Sequence, residues 1–279
     1  MNNMENILIT IAEKTKLRIA EEKSRVSLEA LKQKIKLRKN FEQENGQTLP
    51  DFYEALKKPG MSYICEVKKA SPSKGLIAPD FPYLKIAQEY EMAGAAAISC
   101  LTEPFWFLGS DRYVEEITEK VRIPVIRKDF TIDEYMIYQA RAMGASAVLL
   151  ICAILDDIQL KEYLDLAHQL ELSALVEAHD DTEVLRAVQA GARIIGVNNR
   201  DLRTFTVDTQ NSIRLRKLAP MDRIFVSESG IKTHDDIRLL EENGVNAVLI
   251  GETLMRSPDK KAMLLELNGG PLKQYKIFK

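Results

Sequence analysis

Charged side chains follow short apolar runs at several points of the chain, where they could carry out acid–base chemistry. Glu66 and Lys68 end the first such run, and Lys128, Glu177 and Glu228 follow three later runs. A lysine can protonate a carbonyl oxygen and a carboxylate can accept a proton, so these residue types suit general acid–base catalysis. A network of structural ion pairs is the competing interpretation, because a charge in apolar surroundings is costly unless it is paired.

Two glycine-containing turns near the end of the chain indicate an anion site. They are Ser229-Gly230 and Gly251-Glu252, and each glycine is expected at the N-terminus of the following helix. Backbone N–H groups and the helix dipole favour a phosphate there. Ordinary tight turns are the alternative. The Glu252 carboxylate would repel a phosphate, so this residue is expected to contribute only its backbone N–H, with the side chain turned away.

The elements that must position these residues are eight short apolar runs separated by amphipathic segments. Such an alternation indicates a parallel sheet covered on both faces. Gly94, Gly144, Gly191 and Gly244 recur at intervals of 50, 47 and 53 residues, each between a helix and a strand, so each interval holds two βα units. We therefore predict an α/β protein with a closed (β/α)8 TIM barrel. An open doubly wound sheet is the alternative, which the lack of a dinucleotide-type glycine fingerprint after the first strand weakens. The runs are 63–65, 96–98, 124–126, 147–151, 174–176, 194–197, 224–226 and 247–250.

A barrel would bring the charged residues together at one rim, since catalytic groups gather at the C-terminal ends of its strands. Side chains alternate across a strand, so Glu66 and Lys68 share one face while Cys65 and Val67 share the other. If helices cover Cys65 and Val67, the two charges point into the barrel mouth. Convergence from different strands favours a catalytic site over a purely structural network.

Residues 1–60 form a predicted N-terminal helical extension, and residues 61–279 the barrel. Met4, Ile7, Leu8 and Ile11 recur at helical spacing and could pack on the barrel. Between residues 13 and 39 there are ten Lys/Arg and four Glu. This excess predicts a basic lid over an anionic ligand, with a solvated helix face as the alternative.

Composition excludes several classes of protein. The chain has 279 residues, 46% of them hydrophobic, which is too apolar for a disordered chain. Its net charge of -2 argues against a nucleic-acid partner, and no apolar stretch has the length of a signal peptide or membrane span. Cys65, Cys100 and Cys152 lie inside apolar runs, which is typical of reduced core cysteines in a cytoplasmic protein. Neither the cysteines nor the three histidines show metal-ligand spacing, so no metal site is expected.

Several motifs in order along the chain closely resemble the signature of the indole-3-glycerol phosphate synthase family. The resemblance covers essentially the whole chain, including the extension. It implies closure of the pyrrole ring of 1-(2-carboxyphenylamino)-1-deoxyribulose 5-phosphate with loss of carbon dioxide and water, in tryptophan biosynthesis and without a cofactor. The motifs are Glu66-Val67-Lys68-Lys69-Ala70-Ser71-Pro72-Ser73-Lys74-Gly75, Phe107-Leu108-Gly109-Ser110, Arg127-Lys128-Asp129-Phe130, Glu177, Val197-Asn198-Asn199-Arg200-Asp201-Leu202 and Ser227-Glu228-Ser229-Gly230-Ile231.

The resemblance also implies catalytic roles. Lys128 would protonate the ketone oxygen during attack by the aromatic carbon, and Glu177 would be the general base. Glu66 and Lys68 would assist dehydration and hold the substrate carboxylate, with Glu228 positioning the lysines. A lysine acid works best with its pKa lowered toward neutrality, which neighbouring cations or burial could supply.

The remaining matched positions imply substrate contacts. Asn198 and Arg200 would orient the substrate. Phe107, Phe130 and Leu202 would form apolar walls for the anthranilate ring, with ordinary loop packing as the alternative. Serine is frequent in the family where this chain has Glu252, so only a backbone contact is expected there. The residues around the phosphate and carboxylate ends would be Ser71, Ser229, Gly230, Gly251 and Glu252.

Three other functions are left open at this point. Another sugar-phosphate barrel enzyme, such as an Amadori-type isomerase, would share the phosphate glycines but would not require both lysines with Glu177. A non-catalytic scaffold for neighbouring biosynthetic enzymes would be expected to lack one of the charges. A nucleic-acid binder using the basic helices conflicts with the acidic remainder of the chain. A phosphorylated small molecule is thus the expected partner; a monomer and an association with other tryptophan-pathway enzymes are both compatible with the sequence.

Overall fold

Eight parallel strands close into a barrel in the computed structural model, which describes residues 7–201 and 204–270. Each strand pairs with the next along the chain, and the first pairs with the last, Ser62 lying opposite Ala247. This pairing confirms the predicted (β/α)8 barrel and excludes the open sheet. The strands are β1 (Ser62–Val67), β2 (Ala97–Leu101), β3 (Val125–Lys128), β4 (Ala147–Ile151), β5 (Ser173–Ala178), β6 (Ile194–Asn198), β7 (Ile224–Glu228) and β8 (Ala247–Ile250).

Helices precede the barrel and connect its strands. Gly144 and Gly191 end two of them in the left-handed conformation, each with φ of 89°, as the glycine repeat predicts. The helices of the described residues are α1 (Ile7–Arg25), α2 (Leu28–Glu44), α3 (Phe52–Leu56), α4 (Tyr83–Met92), α5 (Asp111–Thr118), α6 (Glu134–Met143), α7 (Asp157–Gln169), α8 (Asp181–Ala190), α9 (Gln210–Arg216), α10 (His234–Glu242), α11 (Glu252–Arg256) and α12 (Lys260–Leu267). None of them is long and apolar enough to cross a membrane.

The apolar core has one layer between strands and helices and another inside the barrel. Cys65 and Val67 belong to the outer layer, so Glu66 lies on the inward face, as expected from the alternation. Ile64 belongs to the inner layer, and Phe52 and Leu56 of α3 are fully buried against it. With its interior filled, the barrel is a packed core whose chemistry must lie at an end.

The N-terminal helices pack on the barrel at two places. In α1, Leu8 and Ile11 are buried in the same apolar cluster as the barrel interior, at its mouth. In α2, Leu31 and Ile35 are buried against residues of α6. The apolar spacing therefore predicted the packing face correctly, although Met4 lies outside the described residues. The division of the chain at residue 60, between an N-terminal extension and the barrel, stays a proposal.

Two loop details differ from the sequence-based expectation. Gly230 is not at a helix N-terminus, because α10 begins at His234 and is capped by Thr233. Gly230 instead lies in the preceding loop with φ of 87°, a conformation that glycine adopts readily. After β1 the chain forms an unpredicted antiparallel hairpin between Ala70–Ser71 and Gly75–Leu76.

Candidate active site

The ammonium group of Lys128 lies between two carboxylates at the mouth of the barrel. Lys128 Nζ is 2.9 Å from Glu177 Oε2 and 2.8 Å from Glu228 Oε2. Lys128 and Glu228 are the last residues of β3 and β7, Glu177 is the penultimate residue of β5, and the two glutamates are only 3% and 2% exposed. The charged residues singled out in the sequence therefore meet in one cluster, shielded from solvent, where each charge acts strongly on the others.

The shared ammonium sets the protonation of the cluster. Burial alone would lower the pKa of Lys128, but Glu177, Glu228 and the more distant Glu66 raise it above its ordinary value. The expectation of a pKa lowered toward neutrality is therefore wrong, because the nearest neighbours are anions. Burial opposes the ionisation of Glu177, yet Lys128 and His179 hold its pKa below the ordinary range. Burial and the Glu177 charge outweigh Lys128 at Glu228 and raise its pKa to about 7.

A second ion pair lies at the end of β1, where Lys68, the residue after the strand, contacts Glu66. Gly251, at the end of β8, is packed against this pair: a Cβ atom at position 251 would overlap Glu66 Oε2 and lie 2.8 Å from Lys68 Nζ. Gly196 of β6 makes similar room for Glu228, whose Oε1 a Cβ atom would overlap. Glycine at these two positions therefore makes space for Glu66, Lys68 and Glu228, a reason that the sequence did not reveal.

The residues expected to bind the substrate surround the cluster. Asn198 Nδ2 is 3.4 Å from Glu177 Oε1, and Asn198 Oδ1 accepts the backbone N–H of Arg200 at 3.1 Å. The rings of Phe107 and Phe130 lie side by side with centroids 6.2 Å apart and planes tilted by 45°. Ser71 is buried in the hairpin after β1. Leu202 lies outside the described residues.

A cavity of about 940 Å³ contains every one of the expected site residues other than Leu202 in its wall. At one side, near Ser229, Gly230 and Gly251, the wall also contains cations that the analysis of the sequence did not single out as ligands. The Glu252 carboxylate lies there too, 3.1 Å from Arg256 and 3.5 Å from Lys74, which offset its charge. These cations are Lys74, Lys232 and Arg256.

Three buried polar contacts that support the site were missed. The Glu103 carboxylate accepts the backbone N–H groups of residues 105, 106 and 107 at 2.9, 2.7 and 3.0 Å, which fixes the loop that carries Phe107. Arg18 of α1 donates to both oxygens of Asp129, beside Lys128, at 2.8 and 2.9 Å. His179 Nε2 is 3.4 Å from Glu177 Oε1. Of Glu103, Arg18, Asp129 and His179, only Asp129 lies within one of the sequence motifs. The sequence therefore gave a partial signal for Asp129 alone.

The fold and the site together define a (β/α)8-barrel enzyme with acid–base groups at the carboxyl ends of its strands. A family model for indole-3-glycerol phosphate synthase matches residues 8–267. The chain belongs to the indole-3-glycerol phosphate synthase family, as its motifs suggested, and so is a lyase of tryptophan biosynthesis. Membership of this family does not favour two of the alternatives left open by the sequence, an Amadori-type isomerase and a non-catalytic scaffold.

Individual relatives agree with the family assignment. The chain is 55% identical to the indole-3-glycerol phosphate synthase of Ruminiclostridium cellulolyticum, over 94% of this chain and 99% of that one. It is 55% identical to that of Endomicrobium trichonymphae, with the same coverage of 94% and 99%.

Solved structures resemble the chain in fold alone. One is 3-hexulose-6-phosphate synthase, with a TM-score of 0.58 at 15% identity over 75% of this chain and 99% of that one. Another belongs to the tryptophan synthase α2β2 complex of Pyrococcus furiosus, with a TM-score of 0.56 at 13% identity over 80% and 100%. Both show the barrel.

Proposed function

We propose that Lys128 is the general acid and Glu177 the general base of the ring closure that yields indole-3-glycerol phosphate. The observation that carries this assignment is the position of Lys128 Nζ, 2.9 Å from Glu177 in the wall of the large cavity. Lys128 gives a proton to the ketone oxygen of the substrate as the aromatic carbon bonds to the carbonyl carbon. Carbon dioxide then leaves, and the electron pair of its bond restores the aromatic ring.

Dehydration completes the reaction. The new hydroxyl takes up a second proton and departs as water, while Glu177 accepts the proton lost from the neighbouring carbon. Glu66 and Lys68 supply the acid for this step and contact the substrate carboxylate. Glu228, with a pKa raised to about 7 by burial and by Glu177, can return a proton to Lys128 over 2.8 Å. The substrate's own ketone is the electron sink, so the proposed steps use no cofactor.

We assign the phosphate to the side of the cavity with the three cations. Backbone N–H groups of Ser229, Gly230, Gly251 and Glu252 can approach a phosphate there, and Lys74, Lys232 and Arg256 supply positive charge. Asn198 and Arg200 orient the middle of the substrate. Phe107 and Phe130 contact the anthranilate ring, and Leu202 is proposed with them on the family motif alone.

The cellular setting is also a proposal. All three cysteines are buried thiols, which fits a reducing cytoplasm. A phosphorylated small molecule is the proposed ligand; nucleic acid and membranes are not proposed as partners.

Replacement of Lys128 by Met tests the central assignment. Turnover of synthetic carboxyphenylamino-deoxyribulose phosphate, followed by indole fluorescence, should fall about 10²- to 10⁴-fold, the usual contribution of a positioned acid. Substrate binding should persist in equilibrium titrations. Lys161→Met is the control, because Lys161 is exposed and pairs only with Asp165 among the ion pairs of the described residues. Turnover of Lys128→Met near the control's rate would refute the assignment.

A further inference from the structure

We propose that His179, held by Glu183, is a positioning residue that places a second positive charge against Glu177 and so assists proton donation by Lys128. The inference rests on the roles of Lys128 and Glu177 proposed above, and concerns a residue that the family motifs did not include. His179 directly follows β5 and precedes α8, so its ring lies behind the general base rather than in the catalytic cluster.

Both ring nitrogens of His179 face carboxylates. Nδ1 is 3.0 Å from Glu183 Oε2, and the same oxygen accepts the backbone N–H of His179 at 2.8 Å. Nε2 is 3.4 Å from Glu177 Oε1. The carbonyl oxygen of His179 accepts Asn211 Nδ2 at 3.1 Å, which fixes the backbone. Nε2 makes no hydrogen bond to Glu177, so this contact is electrostatic, and only the imidazolium places a positive charge beside both carboxylates.

The charge of the ring follows from these contacts. Burial lowers the pKa of His179, but the two carboxylates outweigh burial and raise it to about 10. His179 is therefore a cation at neutral pH. The negative charge of Glu177 is then balanced by two cations, Lys128 on one side and His179 on the other.

The second cation matters at the moment of proton transfer. Lys128 is shared by Glu177 and Glu228, and once it has protonated the ketone it is neutral. Glu177 would then be left in a buried site without its nearest counter-charge, which is costly. His179 remains charged through this step and offsets Glu177. Its presence therefore makes Lys128 a stronger acid and Glu177 a weaker base than they would be without it.

His179 also lines a second cavity, of about 420 Å³, which shares Leu8, Asn198 and Arg200 with the wall of the large one. Its side chain is 19% exposed, so it can exchange protons with solvent while substrate occupies the main cavity. Charged groups from several elements face this space and contribute to the field at the ring. They are Asp180, Glu183, Arg200, Asp201, Asp208 and Arg214.

The pH dependence of turnover in His179→Asn tests the proposal. Removal of the cation should raise the pKa of Glu177, so the acid limb of the profile should move to higher pH by about one unit. KM should change less than about twofold. His179→Lys keeps a positive charge and should restore the acid limb to its wild-type position. His168→Asn is the control, since His168 lies beside the other end of the barrel near Arg193.

A merely structural role for His179 would lower turnover or the melting temperature without moving the acid limb, and that result would overturn the proposal. The protonation of the His179 ring can also be measured directly, without a variant. In ¹⁵N NMR of the wild-type enzyme the His179 ring should carry two protons at pH 8, and a neutral ring at that pH would also overturn it. Glu183→Gln removes one of the two anions and should shift the imidazole titration to lower pH.

Glu177→Gln separates this inference from the proposed function. If Glu177→Gln retained wild-type turnover, the assignment of the general base would be wrong. If Glu177→Gln were inactive while His179→Asn left the acid limb in place, the base would stand and the role of His179 would be refuted.

Discussion

Replacing Gly196 by Ala should disable the site through one methyl group. The added Cβ would overlap Glu228 Oε1 and lie 3.1 Å from Leu175 Cδ1, and both neighbours are buried. The Glu228 carboxylate must therefore move, and its 2.8 Å bond to Lys128 must lengthen or break. Position 196 lies within β6 and has no left-handed φ, so steric overlap is the main effect.

The magnitude follows from two costs. Overpacking a filled interior costs about 1–3 kcal/mol of unfolding free energy. Loss of a hydrogen bond to a charged group costs about 1.5–3 kcal/mol, and if that bond orients Lys128 in the transition state, kcat should fall roughly 10- to 100-fold. Indole fluorescence at saturating substrate measures kcat, and thermal denaturation measures stability.

A control and a double variant make the reasoning falsifiable. Gly191→Ala meets open space but has φ of 89°, so it should cost about 1 kcal/mol of stability and leave kcat unchanged. In a Glu228→Ala background the overlap with the carboxylate is absent, so Gly196→Ala should add little further loss of kcat. Gly196→Ala with wild-type kcat and melting temperature would refute the proposed steric link. Equal losses of kcat with and without Glu228 would refute it as well.

Three further changes should have distinct effects. Arg18→Met removes the bidentate partner of buried Asp129, which keeps Arg127 at 3.5 Å and the Thr102 hydroxyl, so it should cost about 1.5–3 kcal/mol in chemical denaturation. Burial opposes the ionisation of Asp129, but Arg18 and neighbouring groups lower its pKa. The ionised carboxylate should therefore stabilise the fold at neutral pH, and this contribution should disappear as the pH falls below 3.8, the ordinary pKa of Asp. An acid titration without such a loss of stability would contradict this reasoning. Gly230→Val should abolish competitive inhibition by inorganic phosphate and weaken substrate binding by about 1–3 kcal/mol, and undiminished inhibition would place the anion elsewhere. Glu252→Ser frees Lys74 and Arg256, so phosphate should inhibit at lower concentration than in the wild type.

The barrel and the placement of the reacting residues could be predicted from the sequence because both depend on local patterns. Apolar runs alternate with helices, and a residue that follows a run must lie at the strand end. Lys128, Glu177 and Glu228 were therefore expected at one rim before their contacts were known. The glycine turns gave the general position of an anion site, although the helix assumed after Gly230 begins later.

Contacts between distant parts of the chain could not be predicted in this way. Arg18 and Asp129 are 111 residues apart, and no periodicity links them. The pKa of Lys128 was expected to fall, but its direction depends on interatomic distances to carboxylates on other strands. His179 was judged only as a metal ligand, since its spacing to other histidines was visible and its contact with Glu177 was not.

The groups proposed to react come from alternate strands, and this arrangement has a consequence for the stability of the barrel. Glu66, Lys128, Glu177 and Glu228 lie on β1, β3, β5 and β7, the arrangement by which four apolar side chains normally make one layer of a barrel interior. The uppermost layer of the barrel interior is thus charged rather than hydrophobic. Replacing the four charged residues of that layer with leucine and isoleucine should make the barrel more stable. It would also remove the groups proposed to carry out the reaction.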